Sequence, residues 1–84
     1  MISVTILLEA QLRIQAGQSE VCLEISEVQP NLASAIKLLQ ERYPALKLRN
    51  VLAFRNNQPV GSSGDATELA HGDTLLLMPP ISGG

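Results

Sequence analysis

Apolar and polar residues alternate at the start of the chain. Ile2, Val4, Ile6 and Leu8 fall on one side and Ser3, Thr5 and Leu7 on the other, the period of a half-buried strand. The same period returns in residues 20–25, where Val21, Leu23 and Ile25 oppose Glu20, Cys22 and Glu24. Between them, Gln15-Ala16-Gly17-Gln18-Ser19 is rich in turn formers, so the two strands are expected to form a hairpin with a long connection. The period then changes. Leu32, Ala35, Ile36, Leu39 and Tyr43 recur at helical spacing, with Lys37, Gln40 and Glu41 on the opposite side and Leu38 off the stripe. Asn31 is placed to cap this helix. Pro44 stops it, because the residue before a proline avoids helical geometry.

Val51 to Phe54 reads as another strand, Asn56-Asn57-Gln58-Pro59 as a turn with a brief resumption at Val60, and Gly61 to Asp65 as a polar loop. Gly72-Asp73 turns the chain into Thr74-Leu75-Leu76-Leu77-Met78. That run is apolar on both faces, the pattern of a strand in the middle of a sheet. The predicted order is β-β-α-β-β, an α+β fold in which one main helix covers a mixed sheet. Residues 1–78 are expected to form one domain, and residues 79–84 an extended tail.

Composition narrows the function classes. With 84 residues, 45% of them hydrophobic, the chain can bury one core and is not a disordered segment. Tyr43 and Phe54 are the only aromatics, so the core is aliphatic and no stacking platform for single-stranded nucleic acid exists. A net charge of −2 excludes a generally basic nucleic-acid binder. All six Lys and Arg residues precede Asn56, and beyond it the only ionisable side chains are Asp65, Glu68, His71 and Asp73. The tail-bearing end is therefore expected to be acidic or neutral and to suit a basic partner. Cys22 is the single cysteine, which precludes an internal disulfide and suggests a reducing compartment. The stretch Ile2–Leu8 is too short and too interrupted for a signal peptide or membrane span. A cytoplasmic protein is the expectation.

Conventional catalytic constellations are lacking: the sequence has no CxxC, HExxH, GxSxG or phosphate-binding loop. His71 reads as a solvated loop residue, Cys22 as a half-buried small residue, and Glu20, Glu24 and Glu27 as solvating groups. The close Pro79-Pro80-Ile81-Ser82-Gly83-Gly84 stands apart. Proline fixes φ and resists collapse onto the sheet, and glycine lacks a Cβ, so Gly83 and Gly84 can thread a slot too narrow for other residues. Extended, these residues reach about 20 Å. Such a tail suits a chemistry in which the Gly84 carboxylate itself is activated. Attack on the α-phosphate of ATP gives an acyl-adenylate, from which a sulfur nucleophile displaces AMP and leaves a thiocarboxylate. Nothing in the chain reads as a site for ATP or persulfide sulfur, so partners must supply both.

On these residues the chain resembles the small, sulfur-carrying subunits of molybdopterin synthase, a group of the ubiquitin-like sulfur carriers with the β-grasp fold. The resemblance spans nearly the whole chain. It is most specific at Gly72-Asp73 and at Pro79 to Gly84, and Ala10, Arg13 and Gly17 fit the Ala-x-x-Arg-x-x-x-Gly spacing that follows the first strand. Two positions depart: Met78 stands where an aromatic residue usually precedes the double proline, and Ile14 where Glu is frequent. The resemblance implies that Gly84 is adenylated by an E1-like adenylyltransferase with ATP and Mg²⁺. A cysteine desulfurase and sulfurtransferase system then converts it to the thiocarboxylate. It also implies that the tail enters the large subunit of the synthase, in a heterotetramer, and gives its sulfur to cyclic pyranopterin monophosphate. Gly83, Ser82, Ile81, Pro80 and Pro79 would thread and position the tail, and Met78 would dock. Carriers for thiazole or other sulfur pathways, ubiquitin-like protein modifiers, and an interaction domain with an idle tail are the alternatives.

Overall fold

The computed structural model describes residues 1–60, 64 and 66–79. The chain runs β1 (Ile2–Leu8), α1 (Gln11–Ala16), β2 (Glu20–Ile25), α2 (Leu32–Arg42), β3 (Leu52–Arg55), β4 (Gln58–Pro59) and β5 (Thr74–Met78). The strands form one five-stranded sheet in the order β2-β1-β5-β3-β4. β1 and β5 are parallel at its centre, and the other neighbours are antiparallel. One face of the sheet carries Val4, Ile6, Leu8, Val21, Leu23, Ile25, Ala53, Leu75 and Leu77, all buried against Leu32, Ala35 and Leu39 of α2. This is the β-grasp arrangement that the resemblance implies, with the helix on one sheet face that the element order predicts.

Two elements are additional to that prediction. The connection between β1 and β2 contains the short helix α1, which buries Leu12 and ends at Gly17 in the left-handed conformation, φ 74°. Six residues carry too little periodicity to stand out against the turn formers that follow. Gln58 and Pro59, expected in a turn, form the edge strand β4 instead. Asn56 and Asn57 alone make the turn, with φ of 49° and 72°. Paired positive φ values in a two-residue hairpin match the strand twist, and Asn tolerates them well. Proline is acceptable at Pro59 because the strand is an edge.

α2 begins as its sequence requires. The Asn31 side chain accepts from the Ser34 amide at 3.0 Å, and the Ser34 hydroxyl accepts from the Asn31 amide, a reciprocal cap. Ser34 also donates to Glu27 at 2.7 Å, so that carboxylate holds the helix entry as well as facing water. Beyond α2, Gln40 donates to the carbonyl of Leu46 at 2.8 Å. That bond folds the following loop back, and Leu46 and Leu48 enter the core.

Candidate functional site

The root of the tail is set by β5. Its inward residues Leu75 and Leu77 are buried, and its outward residues are Thr74, Leu76 and Met78. Parallel pairing puts Leu8 beside Leu77, and the Glu9 amide donates to the Leu77 carbonyl at 3.2 Å. Antiparallel pairing puts Leu52 beside Met78. Pro79, half-buried, therefore leaves the sheet between the end of β1 and the start of β3. Pro80, Ile81, Ser82, Gly83 and Gly84, the residues expected to thread and react, lie outside the described residues.

The face opposite α2 is apolar near this exit. Register aligns Leu7, Leu76, Phe54 and Pro59 in one row across four strands, with Met78 and Leu52 as the next row toward the tail. Leu52 is 40% exposed, and the others are half-buried or exposed. Met78 thus belongs to a surface rather than acting alone. The alternation of β1 and of the Leu75–Met78 run foretold half of it. Phe54 and Pro59 joined it through a register that no local pattern reveals. A contiguous apolar face on a small domain marks an interaction surface.

The far end of β5 is polar and tightly bonded. Asp73 is buried, and its carboxylate accepts from Arg55 Nε at 2.7 Å, the Ala70 amide at 2.8 Å and Asn56 Nδ2 at 3.0 Å. Asn56 Oδ1 in turn accepts from the Thr74 amide at 2.9 Å. Burial alone would raise the carboxyl's pKa. The hydrogen bonds from Arg55, Ala70 and Asn56, with the Arg55 charge, outweigh it and hold the group below the usual carboxylate value. The network pins the β3–β4 turn to the entry of the strand that carries the tail.

This placement overturns the expectation of an acidic or neutral tail end. Glu68, His71 and Asp73 lie before β5 begins, whereas the tail leaves from its other end, about five residues or roughly 16 Å away along the strand. Near the exit stand Arg13 on α1 and Lys47 and Arg49 in the loop before β3, with Glu9 beside Leu77, all exposed. The Lys47 amide donates to Gln15 Oε1 at 3.0 Å, which joins that loop to α1. Sequence order misled because β5 runs the length of the sheet and separates the acids from the tail they precede.

The remaining candidates are minor. His71 is exposed as expected, and its Nδ1 accepts the Ser3 amide at 3.0 Å. Cys22 is exposed on the edge strand rather than half-buried, because β2 has no neighbour beyond it. Ile14 is 77% exposed on α1 and leaves its departure from the family pattern without a packing role. Ala10, Arg13 and Gly17 span α1: the Gly17 amide donates to the Arg13 carbonyl at 2.9 Å, so their spacing is that of a capped short helix. Among the described residues no cluster of His, Cys, Asp or Glu is placed to hold a metal ion, and no helix is long and apolar enough to cross a membrane.

Comparison with known proteins follows the same lines. The chain is 29% identical over 85 residues to a molybdopterin synthase sulfur carrier subunit of Caenorhabditis elegans, with all of both chains covered. Its fold matches the solution structure of small archaeal modifier protein 1 from Methanosarcina acetivorans, at a TM-score of 0.80 and 25% identity, over 100% of this chain and 98% of that one. It also matches, at a TM-score of 0.69 and 20% identity, a Helicobacter pylori structure described as a complex of subunits 1 and 2 of molybdopterin-converting factor, over 99% of this chain and 100% of the other. The ThiS family matches residues 6–84, through the Gly-Gly close. Across that span the chain is a member of the ThiS family, the ubiquitin-like sulfur carriers.

Proposed function

We propose that the protein carries sulfur as a thiocarboxylate on Gly84 and delivers it in molybdopterin synthesis. The observation that carries this reading is the tail root: Met78 and Pro79 leave a strand bonded on both sides, beside an apolar face of Leu7, Leu52, Phe54 and Leu76. A carrier needs a rigid body that docks and a thin tail that reaches. The likeness to the Caenorhabditis elegans sulfur carrier subunit supports the pathway.

In this reading an E1-like adenylyltransferase supplies ATP and Mg²⁺. One carboxylate oxygen of Gly84 attacks the α-phosphate and expels pyrophosphate. A persulfide of a desulfurase and sulfurtransferase system then attacks the acyl carbon and AMP leaves, and a thiol of those partners cleaves the resulting acyl disulfide reductively to free the thiocarboxylate. Gly83, Ser82 and Ile81 thread the tail into the large subunit of the synthase, and Pro79 and Pro80 keep it from folding back. The thiocarboxylate sulfur attacks cyclic pyranopterin monophosphate, and water then cleaves the bond between that sulfur and Gly84, leaving sulfur on the substrate and returning the carboxylate. The apolar face docks on each partner, and with the large subunit the carrier forms a heterotetramer in this reading; the Helicobacter pylori complex of subunits 1 and 2 supports a large-subunit partner.

Intact mass after incubation with the host's E1-like enzyme, ATP, Mg²⁺ and a sulfur source tests the proposal. A gain equal to replacement of one oxygen by sulfur, mapped to Gly84, is expected. The likeness to small archaeal modifier protein 1 favours protein modification as the second reading. An unchanged mass, together with Gly-Gly remnants on lysines of other proteins, would establish that reading instead.

A further inference from the structure

Three of the six basic residues collect where the tail leaves the fold. Arg13 belongs to α1, which starts three residues after Leu8, the partner of Leu77. Lys47 and Arg49 come from the loop that ends at Leu52, the partner of Met78. Burial of Leu46 and Leu48 turns Lys47 and Arg49 outward. The bond from the Lys47 amide to Gln15 then ties the loop to α1, two residues from Arg13. Segments more than thirty residues apart in sequence thus form one basic collar.

Among the described residues the collar's charges have no ion-pair partner. The Arg55–Asp73 pair is the only salt bridge among the described residues. Arg42 is engaged by the Cys22 carbonyl at 3.2 Å and lies over the Tyr43 ring. Glu9 shares the rim and Glu20 lies across β1 from it, but neither comes within ion-pair distance of Arg13, Lys47 or Arg49. A cation in the last turn of α1 gives Arg13 a local role as well. Lys47 and Arg49 have no such helix to serve.

Drawn out fully by a partner, six residues would span about 20 Å, beyond two Debye lengths of about 8 Å at physiological salt, so a nucleotide or phosphate at the tip would lie out of the collar's reach. What meets the collar is the protein that closes around the tail's root. The collar and the apolar face both lie at the tail's root, so a partner that encloses the root meets apolar and charged surface together.

We infer that Arg13, Lys47 and Arg49 dock against an acidic surface of the enzyme that activates the tail, next to the slot the tail enters. This rests on the sulfur-carrier reading. The charges steer encounter and set affinity, while the chemistry belongs to the partner.

The test compares Arg13→Glu, Lys47→Glu and Arg49→Glu, singly and combined, with Lys37→Glu, an exposed base on α2 away from the exit. The readout is ATP-dependent activation by the host's E1-like enzyme at low and high salt, with unfolding midpoints confirming that each variant is folded. The combined variant is expected to raise KM about tenfold or more at low salt with kcat held, and to flatten the salt dependence. Each single change should raise KM more than Lys37→Glu does. Equal KM for the combined variant and Lys37→Glu overturns the inference. So does a fall in kcat with KM unchanged, or a loss confined to the synthase's large subunit. Wild-type protein that is never activated removes the sulfur-carrier reading itself, and this inference with it.

Discussion

Replacing Asp73 with Ala removes the acceptor shared by Arg55, the Ala70 amide and Asn56. The Ala70 and Asn56 donors, both on exposed residues, lose a charged acceptor that is itself buried, at about 1–1.5 kcal/mol each. The Arg55 side chain is 37% exposed and can return to water, so its share is at most about 0.5 kcal/mol. Together the loss is about 3 kcal/mol, a large part of the stability of a domain this size. It corresponds to a fall in melting temperature of roughly 12–24 °C. Urea unfolding at pH 7 measures it directly. The pH dependence gives an independent check. The folded-state carboxyl holds its proton more weakly than the unfolded one. The stabilisation is therefore complete above the unfolded value of about 4, and it is lost as pH falls through the lower, folded value. Wild type should lose stability over that acid interval more steeply than Asp73→Ala, and the two curves should converge. A loss under about 1 kcal/mol at pH 7, or parallel acid profiles, would refute the assignment of Asp73 as the anchor of β5.

Other expectations concern the turn at α1, the tail and the apolar face. Ala10 has φ 52° and ψ −126°, a region that costs a non-glycine residue about 1–3 kcal/mol, so Ala10→Gly should raise the urea midpoint. Gly17→Ala should lower it by about 1 kcal/mol, through backbone strain alone, since a Cβ there meets nothing within 4 Å. Gly83→Val should leave the melting temperature unchanged and block thiocarboxylation, read by intact mass; normal sulfur loading would remove the threading argument. Phe54→Asp places a charge in the centre of the apolar row. It should weaken binding to the synthase's large subunit by about thirtyfold, a hot-spot loss of 2 kcal/mol, while the free domain stays folded in the same melt.

Short-range pattern carried much of this architecture. The alternation in Ile2–Leu8 and Glu20–Ile25, the stripe from Leu32 to Tyr43 and the Asn31 cap each report a local contact, so each is visible in a few neighbouring residues. The doubly apolar run Leu75–Met78 correctly implied a central strand, although only its Leu75 and Leu77 face is buried and its other face forms the apolar surface. Pairings between distant segments were not legible. The row Leu7–Leu76–Phe54–Pro59 depends on register across three ladders. The Asp73 network depends on Arg55, eighteen residues earlier in the chain. The charge at the tail exit was misread because the parallel pairing of β1 and β5 carries the chain away from its acidic stretch before the tail begins. The Gly-Gly close was found because its chemistry needs no partner from the same chain.

The two ladders that flank β5 also decide how the domain bears force. A partner that grips the tail and draws it inward pulls along the strand axis. The hydrogen bonds to β1 on one side and to β3 on the other then carry the load side by side, in shear. They must yield together rather than peel one after another. Tension on the tail is thus spread over the middle of the sheet, and threading can do mechanical work on the tail without unravelling the body that delivers it.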